Sequence, residues 1–279
     1  MKLWRRAFMT GALVLTLAAG LAYAQQQRGR IWVGGDRRGV HFASLDDFTG
    51  SFLYCRGYFS SNRGEGGGGG WRTDYPGADN NFSVRLGELT KFDVPLNENF
   101  EPNHVVVPLS GALLYKCPVL FMEDVGTADF EPVEIQALRE YFQKGGFLWV
   151  DDFWGSYAWD QWVEEIGRIL PPGEYPIFDI PLTHPIMHTL YDVKEKLQVP
   201  AISFWYRSGG RTSERGADSA EVHFRGIQDS RGRLIVLMTH NTDIADTWER
   251  EGENQEYFDL FSPRGYAIGV NALVYAMTH

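Results

Sequence analysis

The chain has 279 residues, of which 44% are hydrophobic, 14% aromatic and 22% charged. That composition excludes a disordered or fibrous protein, because the apolar share is ample for a packed core. A formal net charge of −10 makes the molecule a poor electrostatic match for nucleic acid or an anionic lipid surface.

Lys2, Arg5 and Arg6 form a basic start, Ala7 to Leu21 is apolar and uncharged, and Ala22-Tyr23-Ala24 fits a small-x-small cleavage site. The pattern predicts a signal peptide over residues 1–24, cleaved after Ala24, and export to the periplasm or beyond. A retained anchor is the alternative, although the stretch is short of the ~20 residues that span a bilayer comfortably. No later segment is apolar for long enough to cross a membrane, so no span is expected after cleavage. Losing the three basic side chains with the leader takes the net charge from −10 to −13.

Residues 25–50 are rich in Gly and Arg and read as a lead-in, and residues 51–279 as a single α/β domain. Phe52 to Cys55 has the character of a first strand, and a polar loop follows that ends in Gly66 to Gly70. Asp79 or Asn80 is placed to cap a helix carrying Phe82, Leu86 and Leu89 at helical spacing. Short strands are expected at Phe92 to Leu96, His104 to Leu109 and Val119 to Met122. Glu131 to Lys144 predicts a helix with Asp129 as N-cap, closed by Gly145-Gly146. Phe147 to Val150 is a continuous apolar run, as in a strand buried on both faces. Tyr157 to Leu170 predicts an amphipathic helix. Residues 174–205 read as irregular, and Ser208 to Ser219 as an exposed loop. Glu221 to Gln228 and Arg233 to Thr239 flank Asp229-Ser-Arg-Gly232 as an antiparallel hairpin. Ser262-Pro263 opens a last helix with Tyr266, Val270, Leu273 and Met277 on one stripe. Strands alternating with helices predict a mainly parallel sheet covered on both faces, with the hairpin as an antiparallel edge. Cys55 and Cys117 are too few for a disulfide scaffold. They are read either as a pair formed in an oxidising compartment or as buried thiols.

Several apolar runs end in polar clusters: Glu123-Asp124, Asp151-Asp152 before Trp154, and His240-Asn-Thr-Asp243. In open α/β sheets ligands bind outside the carboxyl ends of strands, where loops face one crevice. The expected crevice comprises Asp74, Tyr75, Asp151, Asp152, Trp154, His240, Asn241 and Asp243. Asp151, Asp152 and His240 are the catalytic candidates, since carboxylates and histidine run acid–base chemistry near neutrality. Asp74, Tyr75, Trp154, Asn241 and Asp243 would contact the ligand, with Arg85 as an anchor. Adjacent carboxylates at a strand end point to opposite sides, so only one of Asp151 and Asp152 faces the crevice. The glycine run would lie on the same rim as a flexible lid. His184 and His188 have i, i+4 spacing, but Pro185 disfavours a helix and no H-E-x-x-H is present. Histidine and carboxylates of the 240–243 cluster, with His223 on the partner strand, could also bind a divalent metal, but no metal site is singled out and the cofactor is left open.

Longer strings carry a resemblance: residues 71–82, 145–155, 225–229, 240–251 and 275–279 resemble the bacterial domain-of-unknown-function family 4159. The resemblance implies a flavodoxin-like three-layer sandwich of the class I glutamine amidotransferase-like type. A more distant likeness to trehalose-utilisation proteins rests on His184-Pro-Ile186 and on Gly232-Arg233 leading into a strand ending in histidine. Amidotransferases use a Cys at a sharp strand-to-helix turn; here that strand end carries Asp151-Asp152, so their chemistry is not expected. The expectation is an exported protein that binds or hydrolyses a polar small molecule such as a carbohydrate. The alternative is a non-catalytic envelope module that docks a protein partner.

Overall fold

The computed structural model describes residues 39–97 and 100–279. The leader 1–24 and most of the lead-in, residues 25–38, lie outside the described residues.

In chain order the elements are β1 (Tyr54–Tyr58), β2 (Ser60–Ser61), α1 (Gly77–Leu89), β3 (His104–Pro108), β4 (Val119–Glu123), β5 (Ala128–Asp129) and α2 (Pro132–Gln143). There follow β6 (Phe147–Phe153), α3 (Gly155–Ile169), β7 (Phe178–Asp179), α4 (Ile202–Ser208), β8 (His223–Gln228), β9 (Leu234–His240), α5 (Asp246–Glu249) and α6 (Gln255–Thr278). The main sheet has seven strands in the order β3-β1-β4-β6-β9-β8-β7. The five strands from β3 to β9 pair in parallel, and β8 and β7 continue the sheet antiparallel. The small β2 and β5 form a separate antiparallel pair.

Both faces of the sheet are covered. Phe121, Phe147, Trp149 and Leu237 pack on one side with Phe82, Trp248 and Tyr266 from α1, α5 and α6. Their alternating neighbours Leu120, Met122, Leu148, Val150 and Met238 pack on the other with Leu138, Tyr141 and Trp162 from α2 and α3. An unbroken apolar run is therefore what a central strand requires, since both sets of side chains are buried. Cys55 and Cys117 form a disulfide that ties β1 to the segment leading into β4. No helix among the described residues is long and apolar enough to cross a membrane.

Several boundaries move for local reasons. Helix α1 begins at Gly77, and Asp79 does not cap it, because its carboxylate is taken by Arg56. Glu131, not Asp129, is the N-cap of α2, and its N–H donates to the Glu134 carboxylate. Residues 92 to 96 form no strand; only Leu96 makes an isolated bridge, to Pro102. The last helix starts eight residues earlier than Pro263 suggests. Asn254 caps it by accepting from the Tyr257 N–H, and burial of Tyr257 and Phe261 holds the first turns despite the internal proline. Met277 is off the buried stripe and exposed.

Candidate functional site

A cavity of about 330 Å³ lies where the chain leaves the carboxyl ends of the central strands. Its position follows from the backbone. Asp124 after β4, Asp152 in β6 and Asn241 after β9 all take left-handed conformations, with φ of 51°, 51° and 62°. Asp and Asn tolerate this region better than other non-glycine residues, so each chain turns sharply off the sheet. In β6 the pairing with β9 slips between Val150 and Phe153. Such a bulge re-aims a side chain. Asp152 accordingly lines the cavity, where its Oδ1 accepts from Trp154 Nε1 at 2.8 Å.

The lining is strongly acidic. Eight carboxylates face two guanidiniums, those of Arg215 and Arg250, with Trp154 and Tyr206 as the aromatic surfaces. Asp74 stands in the loop before α1 with φ 58°, and its buried Oδ2 has no hydrogen-bond partner among the described residues. Asp243 is only 2% exposed; its Oδ1 accepts from the Asp246 N–H at 2.9 Å. Burial, and then the neighbouring carboxylates, hold Asp74, Asp152 and Asp243 well above the usual carboxylate range. Burial lifts Asp124 to about 7, against the pull of the Gly70 N–H on its Oδ2. Perturbed carboxyls gathered in a cleft are the ordinary signature of a functional site.

Gly66, Gly67 and Gly68 form one wall. The run is tied down at both ends, by Gly70 N–H on Asp124 and by Arg215 Nη2 on the Gly66 carbonyl. A Cβ on Gly68 would stand 2.3 Å from Asp124 Oδ2, so only glycine permits this approach.

A family model described as Domain of unknown function (DUF4159) matches residues 61–277, which takes in every wall of this cavity. The chain belongs to the DUF4159 family. Among curated proteins none matches it.

In this DUF4159 chain the structure brings together Asp74, Asp152, Trp154 and Asp243. It takes the other sequence candidates elsewhere. Asp151 points into the sheet, where it accepts from Thr239 Oγ1 and, at 2.9 Å, from the Ala245 N–H; burial raises it to about 7. His240 lies outside the cavity, stacked among Phe153, Trp159 and His223. Its Nε2 donates to the Gly155 carbonyl at 3.0 Å and its Nδ1 accepts from Arg225 at 3.3 Å. Burial lowers its pKa to about 4, so the ring is neutral near pH 7. Asn241 bonds the Gly155 N–H and the Glu221 carbonyl, fixing the start of α3. Tyr75 sits against His104 and His41, away from the crevice. Arg85 is held by Glu251 and Glu88 on the outer side of α1 and anchors nothing in the cavity. His184 and His188 are held within their own loop, by the Ile186 N–H and by the Leu182 carbonyl and Asp192.

Other contributors come from outside the candidate set. Glu214 and Arg215 come from the loop read as exposed, and Asp246 and Arg250 from the turn of α5. One oxygen each of Asp74, Asp246 and Glu249 lie within 4.8 Å of one another, close enough to share a divalent cation. Arg250 Nε already occupies both Asp246 and Glu249, however, at 3.3 and 2.6 Å. Beneath the floor, Arg56 is fully buried between Asp79 (2.9 Å) and Glu123 (2.7 Å), and it donates to the Thr73 carbonyl at 2.8 Å. That contact sets the backbone beside Asp74. A lone Arg inside the apolar run Tyr54 to Tyr58 was the available signal.

Proposed function

We propose that the crevice at the strand carboxyl ends binds a polar, hydroxyl-rich small molecule such as a carbohydrate, with Asp152 as its acid–base group. The observation that carries this reading is the set Asp74, Asp152 and Asp243, which line one cavity with raised pKa values beside the Trp154 ring. Carboxyl groups accept and donate hydrogen bonds to vicinal hydroxyls, and an aromatic face packs against a sugar ring's apolar side. A carboxyl that keeps its proton near neutrality can deliver it to a leaving oxygen. Thiol chemistry has no group to use here, because both cysteines are in the disulfide.

The parallel strands run second-first-third-fourth-fifth across the sheet. That order supports a flavodoxin-like three-layer sandwich, in which ligands sit beyond the strand ends. The disulfide also supports export, since such bonds persist in oxidising compartments.

The test is a thermal-shift screen of sugars and polyols on wild type, Asp152→Asn and Trp154→Ala. A ligand of the native state raises Tm with its concentration; the expected shift in wild type disappears in both variants. If no sugar or polyol shifts wild type, the reading is wrong.

A further inference from the structure

We infer that the ligand of this crevice carries a protonated amino group, as an amino sugar does, held among Asp74, Asp152 and Asp243. The inference rests on the small-molecule reading of the crevice and narrows it to a cationic class.

Charge pairing within the cavity is incomplete. Arg250 is engaged by Asp246, Glu249 and Glu253, and Arg215 by Glu65, Glu214 and the Gly66 carbonyl. Asp74, Asp152 and Asp243 are left without an ion pair among the described residues, and so is Asp124, whose carboxyl bonds the Gly70 N–H and the Glu65 side chain. Asp243 is almost wholly buried, yet no partner among the described residues reaches its Oδ2. The buried Oδ2 of Asp74 is likewise unpaired. Buried carboxylates without a compensating cation are costly, and their oxygens await a donor.

Spacing decides which cation. Metal ligands must converge at about 2.0–2.6 Å from one ion. Among the described residues only Asp74, Asp246 and Glu249 approach within 4.8 Å of one another, and Arg250 already holds two of them. Asp152 and Asp243 are not in that set. An organic ammonium asks for no such convergence: its N–H donors reach acceptors at about 2.7–3.2 Å, and hydroxyls of the same ligand can take the remaining carboxyl oxygens. Trp154 and Tyr206 add aromatic side chains to the lining.

The protonation of the carboxyls gives the inference its own readout. Burial and the neighbouring carboxylates bias these three toward the protonated form, with Glu65, Glu214, Asp246 and Glu253 adding negative field and Arg215 and Arg250 opposing it. A bound ammonium favours the ionised form, so binding expels protons and tightens as pH rises toward the amine's own pKa, above which the ligand loses its charge.

The experiment is isothermal titration of the full chain near neutral pH with glucosamine, N-acetylglucosamine, glucose and Ca²⁺. Each titration is run in two buffers of different ionisation enthalpy. Glucosamine is expected to bind at least about tenfold tighter than its uncharged N-acetyl form, the worth of one good charge pair. Its heat should differ between buffers, reporting proton release. Asp243→Asn and Asp152→Asn keep their hydrogen-bond acceptors for Asp246 N–H and Trp154, so both should fold, with the glucosamine preference lost. Equal binding of N-acetylglucosamine or glucose overturns the ammonium inference and leaves the small-molecule reading standing. Binding of Ca²⁺ alone replaces the ammonium with a metal, and binding of none of the four overturns the inference. Failure of the wider sugar screen as well would bring down the reading beneath it.

Discussion

Arg56 shows how one side chain supports a site it does not enter. Its guanidinium sits between two buried carboxylates and ties down the Thr73 carbonyl next to Asp74. Removing one member of such a network strands the others without compensation. Arg56→Met is therefore expected to cost about 3–5 kcal/mol of unfolding free energy, read by urea denaturation, and a loss below about 1 kcal/mol would deny the network its role. Asp124 offers a second test. Its carboxyl is raised to about 7, so its contribution to stability is full below its unfolded value of 3.8 and is lost as pH rises through 7. Asp124→Asn keeps an acceptor for Gly70 N–H and cannot ionise. Its stability should hold across that window where wild type declines by up to about 1.4 kcal/mol per pH unit. Parallel declines in the two proteins would remove Asp124 as the cause.

At the scale of elements, the disulfide closes a loop with a sequence separation of 62 residues and clamps β1 against the approach to β4. Replacing both cysteines by alanine should lower stability by about 2–4 kcal/mol, seen as a fall in Tm; an unchanged Tm would mean that packing alone fixes these strands. The strands were the most legible elements in the sequence, because Val119 to Met122 and Phe147 to Val150 can be so apolar only where both faces are covered. The cysteine pairing was not legible, since two residues far apart carry no distance information. The start of α6 was hidden by Pro263, whose local cost is outweighed by burial of Tyr257 and Phe261. At the crevice, strand ends place Asp152, Trp154 and Asp243 in its walls, while His240 and Asp151 lie outside them. Polar residues at a strand end serve the ladder and the following turn as readily as a ligand, and a one-residue change in direction decides which. Glu214 and Arg215 were illegible because a loop's polar composition does not say which way it folds back.

Across the whole molecule, the net charge of −10 is unevenly distributed, with eight carboxylates around one cavity. Several have raised pKa values, Asp124 at about 7 among them, and Asp151 beside the floor is raised to about 7 as well. The stabilising contributions of Asp124 and Asp151 fade as pH rises through that value. His240 acts in the other direction: with its pKa lowered to about 4, its contribution is full above its unfolded value of 6.5 and fades as pH falls toward 4. His104, His184 and His223 are lowered as well, but the raised carboxyls outnumber these four histidines, so unfolding free energy should be lower at pH 8 than at pH 6. Equal values at the two pH values would contradict that balance. Salt should narrow the gap, because it screens repulsion among charges at the cavity mouth more than it weakens the apolar core.

The left-handed residues at 124, 152 and 241 make conformation and chemistry separable by selection. Suppose every amino acid is introduced at these positions and the library is sorted for folded protein. The survivors should collapse to a short alphabet of Asp, Asn and Gly, the residues that adopt this backbone at little cost. Sorting the same library for ligand capture should leave 241 with that alphabet while 152 narrows to Asp alone. The difference between the two sorted populations would map the working carboxylates, whatever the chemical identity of the captured ligand.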